Sequence, residues 1–200
     1  MAMVIKKGKT FSRVLRPAAP PFIYRAITAI TKLAPVAIKA VGHGLVNGQY
    51  VAVVSVKGMT EINAEVDRNG HPKLGEYHKC TVVDVDNITI NDINAADFNA
   101  YTSGGYLQFL TPVDMAGCTA RRTIKDRIGG TVLLSLTTEN GGLVIDNVGH
   151  TITEKITATA TAALAWKTGV TDLELVNTAS GNVTALDAPD KVTVEDEVTT

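Results

Sequence analysis

The feature that most constrains this chain is its punctuation. From Tyr24 onward, short runs of Val, Ile, Thr and Leu are broken again and again by glycine, proline and Asn-Gly turns. The stretch "GHGLVNGQYVAVVSVKGM" (residues 42–59) shows the pattern in one place. Glycines flank His43, a second turn follows at Asn47-Gly48, and one β-branched run then crosses the domain before Gly58. Runs of this length fit strands, whereas helices need ~10–12 residues of sustained 3.6-residue periodicity.

The punctuation predicts strands near residues 24–32, 35–41 and 49–56. It predicts a departure from the sheet at 57–65 and a surface loop over "DRNGHPKLGE" (67–76). "YHKCTVVDVDNITIND" (77–92) reads as two strands joined at Asp86-Asn87, and a closing strand follows the Gly104-Gly105 turn. Beyond Pro112 the alternation lengthens. "CTARRTIKD" sets Ala120, Arg122 and Ile124 on one face against Arg121, Thr123 and Lys125 on the other. "TVLLSLTT", "GLVIDN", "HTITEKIT", a hairpin turning at Ser180-Gly181-Asn182, and "DKVTVEDEV" (190–198) complete about seven strands at ~8–12-residue spacing, the pattern of a sandwich. Alanine-rich "ATATAALAW" (158–166) reads as a short helical crossover.

Aromatic residues make up only 5% of the chain, so its cores must be built from Val, Ile, Leu and Ala. Two hundred residues accommodate one large or two small β domains. With Pro112 as the boundary, Val51, Val53 and Val82 are expected in a first core. Leu134, Leu136, Trp166, Leu173 and Leu175 are expected in a second, with Trp166 as its anchor.

Residues 1–25 read differently. Pro17, Pro20 and Pro21 forbid a helix, and Lys6, Lys7, Lys9, Arg13, Arg16 and Arg25 face no acidic residue in that stretch. They suggest an extended arm that orders on a partner, with Lys6, Lys7, Lys9, Phe11, Arg13 and Arg16 as the partner-binding residues. The formal net charge of the whole chain is -1, which offers no general field for nucleic acid. Val4-Ile5 is followed at once by lysines, unlike a signal peptide, and no run reaches the ~18 apolar residues of a membrane span. A soluble protein made in the cytoplasm, with Cys80 and Cys118 as free thiols, is the expectation.

Gly42-His43-Gly44 lacks the lysine and Ser/Thr of a phosphate loop and precedes a strand, so His43 is expected to be a turn residue with a satisfied ring. His71, His78, Cys80 and His150 are the remaining possible metal ligands. His78 and Cys80 share a strand face, but two ligands do not make a site. Ser103-Gly104 has no nucleophile elbow around it. Asp84 and Asp86 beside a turn read as solvated acids, and Asp190, Glu195 and Glu197 as charges that discourage edge pairing. Tyr101 and Tyr106 are the close aromatics that a receptor or carbohydrate binder could use. No catalytic residue, metal or cofactor is expected, and no enzyme.

Two resemblances add to this reading. "TPVDMAGCTARRTIKD", "GGTVLLSLTTENGGLVID", "ITATATAALAWKTGVTDLELVNTASGNVTAL" and "DKVTVEDEVT" resemble the immunoglobulin-like domains of phage tail and baseplate proteins, similar to the N-terminal domain of the baseplate upper protein. Asp187-Ala188-Pro189 departs from that pattern, which has a glycine before the closing strand. "ITAITKLAPVAIKAVGHGLVNGQYVAVVSVKGMTEIN" and "TVVDVDNITINDINAADFNAYTSGG" resemble a small β-barrel module of phage virion proteins. That module is similar to the first catalytic-cysteine half-domain of ubiquitin-activating enzymes, whose chemistry is not carried over because nothing here matches an adenylation domain. The resemblances imply an all-β virion protein of a tailed bacteriophage: a docking arm (1–22), a small N-terminal β-barrel (23–111) and an immunoglobulin-like β-sandwich (112–200). They imply a structural tail or baseplate component attaching tail fibres to the tail, assembled in the host cytoplasm as a homo-oligomer. Its partners would be tail tube, baseplate or fibre subunits, with neither nucleic acid nor membrane. Head decoration, head-to-tail joining, and receptor or carbohydrate binding are the alternatives.

Overall fold

The computed structural model describes residues 3–196, and Glu197 lies outside them. The chain forms two compact units, divided after Pro17 and after Pro112. One holds the residues through Pro17 together with those from Val113 onward, and the other is Ala18–Pro112. The two are therefore not in tandem. The second is inserted between the second and third strands of the described chain.

The residues read as a free arm are two strands of the first unit, β1 (Met3–Lys6) and β2 (Phe11–Leu15). That expectation is corrected here. The physical reason is the alternation in "MVIK", which turns Met3 and Ile5 fully into the core and leaves Val4 and Lys6 outside. The prolines that forbid a helix do not forbid a strand at a sheet edge. Pro20 and Pro21 lie in β3 (Ala18–Ala26), the terminal strand of its sheet, where the pairing register shifts between Ala19 and Phe22.

The inserted unit continues with β4 (Ala29–Thr31), β5 (Val36–Lys39), β6 (Tyr50–Lys57), β7 (His78–Val82), β8 (Asn87–Ile90) and β9 (Ser103–Pro112). Together they make one seven-stranded sheet in the order β3-β9-β6-β7-β8-β5-β4. The departure expected at 57–65 contains a 3-10 turn at Thr60–Ile62, and a second such turn, Leu74–Glu76, lies at the end of the polar loop. The core gathers Val36, Ile38, Val51, Val53, Met59, Ile88, Ile90 and Leu107, with Val82 partly buried against it.

The first unit resumes with β10 (Cys118–Lys125), β11 (Val132–Thr137), β12 (Leu143–Asp146), β13 (Thr151–Ile156), the single-turn helix α1 (Ala158–Ala162), β14 (Thr168–Asn177), β15 (Val183–Ala185) and β16 (Asp190–Glu195). One sheet runs β1-β16-β14-β10-β11, with β15 also paired to β14, and a second runs β12-β13-β2. Both sheets contribute to one core. Ala120, Ile124, Leu136, Leu173 and Leu175 come from the first, and Leu143, Ile152 and Ile156 from the second. Leu134 and Trp166 pack against this core but are only partly buried, so Trp166 flanks it rather than anchoring it. Helix α1 starts where the Thr157 hydroxyl accepts the Ala160 amide (3.2 Å), and the buried Thr161 hydroxyl donates to the Lys9 carbonyl (2.8 Å).

The pairing of β1 with β16 is parallel, Met3 opposite Val192 and Lys6 opposite Glu195. Because β1 covers β16 over Val192–Glu195, Glu195 does not guard a sheet edge, and the edge-blocking role expected for it is corrected. The fold is all-β, built on several sheets.

Candidate functional site

The Gly42-His43-Gly44 corner is a closed structural device. Gly42 and Gly44 both take positive φ (58° and 69°), the region in which glycine pays no steric penalty. Their turn drives His43 inward until it is 2% exposed. Its Nδ1 accepts the Leu45 amide (2.9 Å), which leaves the hydrogen on Nε2 to be donated to the Asp84 carbonyl (3.0 Å). Both ring nitrogens are thus engaged by backbone, and neither is available to a substrate. The opposing loop is fastened in the same way. Asp84 Oδ1 accepts the Asp86 and Asn87 amides (2.8 and 2.9 Å), and Asp86 Oδ1 accepts the Gly42 amide (2.9 Å). The Asp86 amide first, then the Asn87 side chain, hold the Asp84 carboxyl below the ordinary carboxylate range.

The other candidate ligands are dispersed. His71 stacks on Phe22 with ring centroids 5.3 Å apart. His78 Nδ1 meets Asp92 Oδ2 at 2.8 Å, while Cys80 is buried in the core with its thiol 3.8 Å from the Val46 carbonyl. His150 is in the other unit, at a positive φ of 50°. Among the described residues, no three His, Cys, Asp or Glu side chains are grouped to hold a metal ion. Ser103 opens β9 at an exposed position.

The densest ionic chemistry lies inside the first unit. Arg122 is 1% exposed and Glu154 is wholly buried. Arg122 Nε donates to Glu154 Oε1 (2.6 Å) and Nη2 to Asp187 Oδ2 (2.8 Å). The other Glu154 oxygen is taken by Arg13, from Nη2 at 2.8 Å and Nε at 3.0 Å. Asp187 Oδ1 accepts the Leu173 amide (2.5 Å). Two guanidinium and two carboxylate groups cancel, and every carboxylate oxygen holds a donor. This cluster links β10 to β13 and β2, strands of different sheets, and its saturation leaves no acid or base for catalysis.

Much of the basic segment expected to bind a partner is engaged within the fold. Arg13 is the partner of a buried carboxylate, and Arg16 Nη1 donates to the Gly149 carbonyl (2.9 Å). Phe11 packs against the core. Lys7 pairs with Asp196 at 3.4 Å and gives its amide to the Glu195 carbonyl (2.9 Å). Lys9 accepts Thr161 through its carbonyl, and Lys6 projects outward from β1.

The outer face of the seven-stranded sheet was not anticipated. Tyr101 points the other way and donates its hydroxyl to the Ile27 carbonyl (3.0 Å). Tyr106 meets Tyr24 instead, edge to face, with centroids 6.3 Å apart. Tyr50 and Lys79 are direct cross-strand partners, and the Lys79 ammonium sits 5.5 Å from the Tyr50 ring centre. Burial first, then the neighbouring Tyr24 phenol, pushes the Tyr77 phenol up. Beside Tyr50 and Tyr77 opens a cleft of about 500 Å³, lined also by Gly48, Lys79, Cys80, Thr81, Asn91 and Asp92. Tyr24, Tyr50, Tyr77 and Tyr106 are far apart in sequence. Only the strand register, Tyr24 opposite Gln108 opposite Ala52, brings their face together.

The chain matches no protein-family model and no curated protein sequence.

Proposed function

We propose that this chain is a structural component of a tailed-phage particle, working in the tail or baseplate as a non-enzymatic connector between fibre and tail. In this reading the Ala18–Pro112 unit is the small β-barrel module, and the unit built from both chain ends is the immunoglobulin-like sandwich. The single observation that carries it is the division of the chain. Apart from Thr111 and Pro112 at the crossing, each resemblance falls within one all-β unit that has its own strands and its own apolar core. The ionisable groups also support it, because His43, Glu154, Arg122 and Asp187 all spend their hydrogen bonds inside the fold. With no free basic arm, docking would use sheet faces and edges, where backbone pairing gives affinity without chemistry.

The test is to purify particles and quantify this chain against the major capsid and tail-tube proteins. A copy number that is a small multiple of three or six supports the connector. Hundreds of copies would make it a head decoration protein. Absence from purified particles would overturn the proposal.

A further inference from the structure

We propose that the cleft beside Tyr50 and Tyr77 binds a neutral sugar unit. The inference stands apart from the particle reading, since it uses only the lining of one surface site. Three features of that lining point to a polyol. The first is the pair of phenol walls: Tyr50 is about half exposed (49%), and a flat ring matches the C–H face of a pyranose. The second is directed hydrogen-bonding capacity. Thr81 Oγ1 already accepts the Asn91 side-chain amide (3.0 Å), so its own hydrogen is left to donate outward. Asp92 gives one oxygen to His78 (2.8 Å), and its second carboxylate oxygen can accept a ligand hydroxyl. The third is charge. Lys79 and Asp92 face the same space and cancel, which selects against phosphate and carboxylate ligands and against a cationic one. Gly48 at the rim adds no side chain, and the volume of about 500 Å³ lies within the ~300–1,000 Å³ range of small-molecule sites.

The whole chain, labelled with ¹⁵N, should be titrated with methyl glucoside, methyl galactoside, N-acetylglucosamine and a linear gluco-oligosaccharide, with glucuronate as the acidic comparison. Saturating amide shifts confined to Gly48, Tyr50, the Tyr77–Thr81 segment, Asn91 and Asp92 are expected, in the millimolar range of a single open subsite. Binding of the glycosides assigns the cleft to a terminal unit, and binding of the oligosaccharide alone to a unit within a chain; both support the proposal. Tyr50→Ala and Asp92→Asn should each weaken binding by about tenfold. Both positions are exposed, and an unchanged spectrum elsewhere would show that the fold survives. The proposal is overturned if no neutral probe gives saturating shifts at these amides, if only glucuronate does, or if neither variant weakens binding.

Discussion

At the scale of single residues, the decisive fact is that the strongest charges are inside. Arg122 occupies an inward position between Ala120 and Ile124, and Glu154 one between Ile152 and Ile156. Each is buried only because the other is there. Glu154→Ala should therefore cost about 3–5 kcal/mol, because it leaves the Arg122 guanidinium buried with one of its two carboxylates gone. Arg122→Met combined with Glu154→Leu should cost less, since the charges left without an ionic partner, Arg13 and Asp187, are partly exposed to water and apolar replacements fill the buried space. Urea midpoints of the two variants decide it, and a double variant as damaged as the single one would contradict the charge argument. Asp84 gives a pH-dependent counterpart. Its folded-state pKa is depressed, so its contribution is complete above the ordinary Asp range and is lost as pH falls through the depressed value. Asp84→Asn should lower the melting temperature at neutral pH. The gap from the parent should close as pH falls through that acidic window, and a gap independent of pH would mean that the carboxylate charge does not hold the turn. Part of this was readable in advance. The alternation in "CTARRTIKD" puts Arg122 on the face of Ala120 and Ile124, and Glu154 falls on the face of Ile152 and Ile156 in "HTITEKIT". Two lone opposite charges on inward faces are a signal for a buried pair. What the sequence does not carry is which inward faces oppose one another.

At the scale of elements, strand positions were legible and strand partners were not. Turn residues mark where a run must stop, so β6, β10, β13 and the hairpin of β14 with β15 lie close to where glycine and asparagine signals set them. Pairing depends on contacts far apart in sequence, and a four-residue strand such as β1 has too short a period to announce itself. Its lysines were the louder signal, and they belong to its exposed side and to the turn after it. The tyrosine cleft was hidden for the same reason, because its lining is assembled by the register of β6 with β7 and by the loops that follow. The element-level prediction concerns β1. Ile5 is wholly buried, so Ile5→Ala should destabilise its unit by about 2–5 kcal/mol. Residues 3–15 should also resist limited proteolysis in the isolated protein. A stability change near zero together with early cleavage before Pro17 would restore the arm.

At the scale of the whole molecule, the organising fact is insertion. The Val113 amide donates to the Pro17 carbonyl at 3.0 Å, and Ala18 stands opposite Pro112 in the strand ladder. The two crossings between the units therefore lie side by side, the geometry in which an inserted domain leaves its host closed. Replacing 18–112 by a short glycine-containing linker should give a folded first unit, with the partly buried Trp166 emission retained and shifting red on unfolding. Residues 113–200 alone, lacking β1 and β2, should not fold. The reverse pair of outcomes, measured by circular dichroism and tryptophan fluorescence, would refute the shared-unit topology. The parallel ladder of β1 with β16 also sets a timetable. On the ribosome, β1 is made long before its neighbour and cannot pair until the residues up to Glu195 have followed, a wait of about 10–40 s at ~5–20 residues per second. The inserted unit contains all seven strands of its own sheet and is complete well before then. A nascent chain of this protein thus carries a finished inserted domain while Met3 and Ile5 of β1 are still uncovered. That interval, rather than anything in the finished fold, is when a chaperone would have the most to hold.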